Sequence, residues 1–214
     1  MPIIINGSEI KGIVYNGVVC PGYLNGQLIT PSETPQEKLI IDGKEYRTVK
    51  IGNQTWMAEN LESDAFGGVW YNNDENTYKP LGYGKLYSYD EATQISNSVS
   101  GWHLPTKNEF GTLINYFGNE SIAAIKLKTT TGWNTNNGTD DFHFSVLPAG
   151  MVIYDGSFAF AGEMGTFWTS TEYWPEDFDN MVYRFYIDDY NNCMNTGVDY
   201  PLPNRLNIRL IKDT

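Results

Sequence analysis

The sequence predicts an α+β fold, and three observations carry that prediction. Two capping boxes, Ser88-x-x-Glu91 and Thr106-x-x-Glu109, mark helix starts in the middle of the chain. Short apolar runs broken by Gly, Pro and Asn-Gly pairs fill both flanks, as strands do. The resulting order is strands, helices, then many strands, which segregates the two kinds of element instead of alternating them.

At the N-terminus Asn6-Gly7, Asn16-Gly17 and Asn25-Gly26 recur, each flanked by apolar residues at nearly alternate positions. Asn-Gly suits a type I′ hairpin turn because both residues tolerate positive φ. Residues 9–15 and 18–24 read as the strands between the turns. Residues 1–30 therefore predict a small β-hairpin unit, too small to stand without a packing partner or self-association. Residues 31–38 are polar, lack periodicity and carry Pro31 and Pro35, so they read as a linker.

The main domain, 39–214, opens with a hairpin about Asp42-Gly43, a second tight turn at Gly52-Asn53 and a strand over 54–58. The first capping box leads a helix of about two turns to Ser96. The second opens a longer helix in which Phe110, Leu113, Ile114 and Phe117 recur at helical spacing until Gly118 ends it. Residues 122–127 suit a third helical turn. Short strands are then expected over 142–147, 150–154, 165–170, 183–187 and 206–211.

Composition narrows the function. The 214 residues carry a net charge of −12, which repels nucleic-acid backbones and anionic lipid alike. No apolar run approaches a membrane span. The start, Met1 to Gly7, has neither the basic nor the long apolar region of a signal peptide. Cys20 and Cys193 fall in different units and read as free thiols. His103 and His143 are too few for most hydrolytic zinc sites, and His103, beside Trp102 at a helix start, reads as structural. Trp56, Trp102, Trp133 and Trp168 read as core.

Six ordered segments resemble one family. They are Val49 to Leu61 (VKIGNQTWMAENL), Gly84 to Ser88 (GKLYS), Gly101 to Thr106 (GWHLPT), Leu127 to Asn134 (LKTTTGWN), Phe144 to Gly150 (FSVLPAG) and Phe167 to Glu172 (FWTSTE). The family is the Fibrobacter succinogenes major paralogous domain, common in surface proteins of Bacteroidetes-type bacteria, and the resemblance covers 39–214. It implies a C-type-lectin-like fold with two main helices and a mostly antiparallel sheet, akin to the formylglycine-generating enzyme. The resemblance extends to variable proteins of diversity-generating retroelements, whose ligand site near the C-terminus is rich in Tyr, Asn, Asp and Ser. Residues 173–204 hold the corresponding place. The chain departs from the family where Arg205 to Leu210 replaces the usual Gly-Phe-Ser-Val-Arg-Cys, after a longer loop with Pro201 and Pro203. The Asn-Gly repeats are similar to small β modules of phage tails, which implies a tail-tip protein of a Bacteroides phage.

Residues 167–200 contain ten aromatics, seven carboxylates and one cation, Arg184. Tyrosine gives large contact area at low entropy cost, and amides add adaptable hydrogen bonds. Tyr173, Trp174, Glu176, Asp177, Asp179 and Asn180 are expected on a loop. Strand alternation places Arg184, Tyr186 and Asp188 on one polar, exposed face. Tyr190 and Asn192 are expected in a turn, and Asn195, Asp199 and Tyr200 continue the rim. Together they predict a ligand-binding surface for a protein or glycan receptor on another cell, with residues 1–30 attaching the chain to a larger tail or surface assembly. That places it outside the cell, and a tail-tip protein is expected to form a homotrimer.

Two other classes compete. A formylglycine-generating oxidase needs paired C-terminal cysteines to bind copper, and Cys193 stands alone there; no Ser-His-acid set can be assigned either. A structural pilus or tail subunit would need no Tyr/Asn-rich end. The expectation is a binding protein, not an enzyme, with no cofactor. Calcium is the one ion weighed: Asp140-Asp141 or Asp177 and Asp179 offer hard oxygen donors, but unpaired surface acids are the default.

Overall fold

The computed structural model describes residues 38–174, 181–199, 201 and 203–214 in full, and between residues 1 and 37 the strands alone. The chain divides into two compact units, Met1–Glu37 and Lys38–Thr214. The first holds three two-stranded antiparallel sheets. They are β1 (Ile3–Ile5) with β2 (Ser8–Ile10), β3 (Val14–Tyr15) with β4 (Val18–Val19), and β5 (Gly22–Leu24) with β6 (Gln27–Ile29). In each pair the register leaves an Asn-Gly dipeptide between the strands. The expected strand over 9–15 is divided between β2 and β3, and that over 18–24 between β4 and β5.

The second unit is α+β. It opens with β7 (Leu39–Ile41), β8 (Lys44–Tyr46), β9 (Thr48–Ile51) and β10 (Gln54–Met57). Asp42 and Gly43 both take positive φ in the first of these turns, as an Asp-Gly hairpin turn requires. A short helix, α1 (Glu75–Tyr78), precedes α2 (Tyr89–Ser98), β11 (Trp102–His103), α3 (Lys107–Phe117) and α4 (Glu120–Leu127). Both capping boxes form. The Ser88 N–H donates to Glu91 Oε2 at 2.8 Å, and the Thr106 N–H to Glu109 Oε2 at 2.7 Å, while each hydroxyl accepts from the glutamate's own N–H. Gly118 ends α3 with φ 96°. The third helical turn is a helix of eight residues, capped by Asn119.

Five strands follow: β12 (Ala149–Val152), β13 (Phe158–Ala161), β14 (Met164–Tyr173), β15 (Met181–Asp188) and β16 (Cys193–Asp199), before the short β17 (Ile211–Lys212). They build a five-stranded sheet in the order β13-β12-β14-β15-β16, antiparallel except between β12 and β14. A four-stranded antiparallel sheet runs β11-β17-β10-β9. One hydrophobic cluster lies under α3 and α4 and includes Trp56, Phe110, Leu127, Phe144 and Phe185. Phe110 stacks on Phe185 with centroids 4.0 Å apart. The other cluster gathers Tyr87, Ile95, Trp102, Trp168 and Leu206. All four tryptophans assigned to the core are buried.

Two expected strands are not ladders. Over 142–147, His143 and Ser145 take positive φ, which a strand cannot accommodate, and Asp140 holds the turn by accepting from the Ser145 N–H and hydroxyl. The apolar alternation there is real, since Phe144 and Val146 are buried, but it serves a turn-rich segment. Over 206–210, before β17 begins at Ile211, the chain pairs with one partner at a time. Leu206 exchanges bonds with Tyr87, Asn207 O accepts from Trp168, Ile208 O from Leu61 and Leu210 O from Met57. Both faces are buried, so this segment threads the interior and does not edge a sheet.

Candidate functional site

The β14–β16 ladder positions the predicted residues. Thr169 breaks its regularity: its hydroxyl donates to Tyr183 O at 2.6 Å, within a register shift between Trp168 and Glu172. The Ser170 N–H donates to Pro105 O, and the Lys107 N–H to the Thr171 hydroxyl, which ties this strand to the start of α3. Irregularities of this kind re-aim the side chains that follow. Past it come Glu172, Tyr173 and Trp174, all exposed, Trp174 retaining 64% of its surface. The Trp174 indole N–H donates to Glu172 Oε2 at 3.0 Å, and Tyr173 meets Tyr183 edge to face.

The predicted residues do not form one patch. Tyr173, Trp174, Arg184 and Asp199 belong to the end of the ladder where β15 begins, whereas Asp188, Tyr190 and Asn192 belong to the end where it stops. The eight residues of β15 separate those ends by about 23 Å. Tyr186 and Asn195 face each other across the ladder between them, both half-buried. Glu176, Asp177, Asp179, Asn180 and Tyr200 lie outside the described residues, as does Cys20. Cys193 is a free thiol.

The face expected to be open and polar is largely internal. Arg184 pairs with Asp199, lies 4.7 Å from the Tyr186 ring and donates toward the Met151 sulfur. Burial raises the Asp199 carboxyl above its usual range, against the opposing pull of Arg184. Asp188 is only 7% exposed and accepts from the Asn191 N–H at 2.6 Å, so it closes the turn after β15. The alternation is as expected, but the Met151, Tyr186 and Asp199 side chains enclose Arg184, and the turn after β15 takes in Asp188.

At that turn Tyr190 projects freely, 88% exposed, while Asn192 is half-buried with φ 48° and accepts from Lys128 Nζ at 2.9 Å. Lys128 is buried over the Trp133 ring, and desolvation lowers its ammonium to about 8. Asp189 accepts from the Thr135 N–H and hydroxyl. These contacts fix the turn; they leave Tyr190 as its open side chain among those predicted.

His103 is held at both ring nitrogens, by Asp213 at 2.6 Å and Glu109 at 2.9 Å. Burial disfavours its charge, but the two carboxylates outweigh that and its pKa is raised. Of the calcium candidates, Asp140 is occupied by Ser145 and Asp141 by Lys126. Among the described residues no group of three or more His, Cys, Asp or Glu is placed to hold a metal, and no helix is long and apolar enough to cross a membrane.

Sequence reasoning missed three residues beside Trp174. Tyr89 and Asp90, at the start of α2, and Glu172 line a cavity of about 360 Å³ together with Trp174 and Met181. Burial and the nearby Glu172 charge raise the Tyr89 phenol. In sequence Asp90 is a first-turn acid of α2 like any other, and the one local signal for the pair is the two-residue spacing of Glu172 and Trp174. A larger cavity, about 490 Å³, lies along β7 and contains none of the predicted residues.

An α+β scaffold ending in an exposed aromatic strand tip defines the class. Within it, the family described as Fibrobacter succinogenes major domain matches residues 49–212, and the chain belongs to that family. No curated protein and no solved structure matches the chain.

Proposed function

We propose that the chain is a non-enzymatic receptor-binding module of C-type-lectin-like fold, displayed outside the cell on a phage tail or bacterial surface. Its ligand is a protein or glycan on another cell, gripped by the strand tip at Tyr173 and Trp174. The observation that carries this reading is Trp174 itself. A tryptophan held at 64% exposure, braced by Glu172 and flanked by a second aromatic, is an anchor awaiting a partner. Family membership and the Tyr-rich composition of 167–200 support it. Residues 1–30 serve as the attachment unit, and the C-terminal segment is of the kind that retroelements diversify. A near-duplicate of the gene's 3′ end beside a reverse-transcriptase gene is the expected genomic signature.

The test is a screen of the full chain against bacterial cells and glycan arrays, comparing wild type with Trp174→Ala and Tyr186→Ala. Loss of an aromatic anchor of about 2 kcal/mol weakens binding about thirtyfold. Trp174→Ala is expected to show that loss, and the half-buried Tyr186→Ala a smaller one. Binding unchanged in both variants rejects this site.

A further inference from the structure

Among the described residues, the charged groups in the groove beside Trp174 are all acids. Met181, Val182 and Pro201 line it together with the aromatic residues Tyr89 and Trp174 and the acids Asp90 and Glu172. No cation lines it. The cations on neighbouring elements are engaged elsewhere: Arg205 by Glu91, Arg184 by Asp199, and Lys107 over the Tyr183 ring at 3.9 Å. Asp90 has no hydrogen-bond or ion-pair partner among the described residues. Among the described residues the Glu172 carboxylate accepts from the Trp174 indole alone, which leaves acceptor capacity free.

We propose that this groove receives a lysine or arginine side chain from a basic segment of a partner protein. A sugar hydroxyl both donates and accepts, and among the described residues its oxygens would find the Tyr89 hydroxyl as a donor and little else, since the indole N–H is already committed and no amide or guanidinium of those residues lines the groove. A cationic side chain only donates. Its N–H groups meet two carboxylates in charge-assisted bonds, its charge lies against aromatic faces, and its methylenes cover Met181 and Val182. About 360 Å³ is at the lower end of small-ligand pockets and accommodates one such side chain. The walls are prepared in advance. The Ser88–Glu91 capping box fixes the first turn of α2, and Tyr89 packs edge to face on buried Trp168. A pre-formed wall costs little ordering on binding.

The inference rests on the strand tip being a ligand surface, and its test separates the two. The ¹⁵N-labelled full chain is titrated with the peptide acetyl-Gly-Arg-Gly-amide, its lysine counterpart, its citrulline counterpart and methyl mannoside, following the Trp174 indole resonance assigned through Trp174→Phe. The expected result is a saturable shift with the arginine and lysine peptides, at least tenfold weaker with citrulline, and weakened by salt. Asp90→Asn with Glu172→Gln keeps shape and acceptors while removing charge. The double variant should lose binding at least tenfold at an unchanged melting temperature. No saturable shift with either cationic peptide, an equal response to citrulline, or a response to the mannoside alone overturns the proposal. Cell binding that falls with Trp174→Ala but not with the double variant also overturns it, while leaving the receptor-binding reading intact.

Discussion

His103 concentrates much of what single residues do in this protein. It joins the chain's last residues, through Asp213, to Glu109, whose other oxygen caps α3 through Thr106. Its folded-state pKa is raised, so its contribution to stability is complete below the unfolded value of about 6.5 and is lost as pH climbs through the folded one. Urea midpoints of wild type and His103→Gln should therefore differ most below the unfolded value and draw together as pH rises past the raised folded one; a constant gap contradicts the clamp. The sequence alone made His103 structural, from its place beside Trp102 and the absence of ligand spacing. It could not supply Asp213, because a contact across 110 residues leaves no local trace. The same blindness applies to Asp188 and Arg184. Alternation placed them on a polar face, but only the contacts with Met151, Asp199 and the Asn191 N–H reveal that they are enclosed.

Among the elements, those with strong local codes were legible. The two capping boxes, Gly118 and the Asn-Gly and Asp-Gly turns mark the ends of α2, α3 and the hairpins within a residue or two. Segments whose conformation depends on distant partners were not. Residues 206–211 alternate like a strand, yet their backbone bonds go to Tyr87, Trp168, Leu61 and Met57 in turn. Glycines at close approaches belong to this scale too. Gly84, inside the GKLYS motif, has φ 67°, and a Cβ there would stand 2.6 Å from the Asn60 Cβ and 2.7 Å from Leu61 O. Backbone cannot yield as a side-chain tip can. Gly84→Ala should lower stability by about 1–3 kcal/mol through strain alone, before the clash adds to it. A denaturation midpoint equal to wild type would show that the Leu61–Lys85 backbone contact is not tight.

For the whole molecule, the fold class was legible because its order of elements was; the site was legible only in part. Composition singled out 167–200, and the register of β14, β15 and β16 then divided those residues between two ends of one ladder. The end at Trp174 adds an acid-lined groove, built with residues of α2 that lie some eighty positions earlier. At the same scale, a unit of three two-stranded sheets is too small to be stable alone, and a tail-tip role makes self-association its expected remedy. Light scattering of the full chain should give three times its 24.2 kDa mass; a monomer contradicts the tail-tip assignment and favours an anchored surface adhesin.

The central claim is that the strand tip at Trp174 is where this protein grips its target. Hydrogen exchange of the full chain, free and bound to the target that the cell and glycan screen identifies, locates the contact without mutation. Slowed exchange at Glu172–Trp174, Met181–Val182 and the first turn of α2, with the rest unchanged, is the predicted result. Protection confined to the α3–α4 face or to residues 1–37, with the strand tip exchanging as in the free chain, would contradict it.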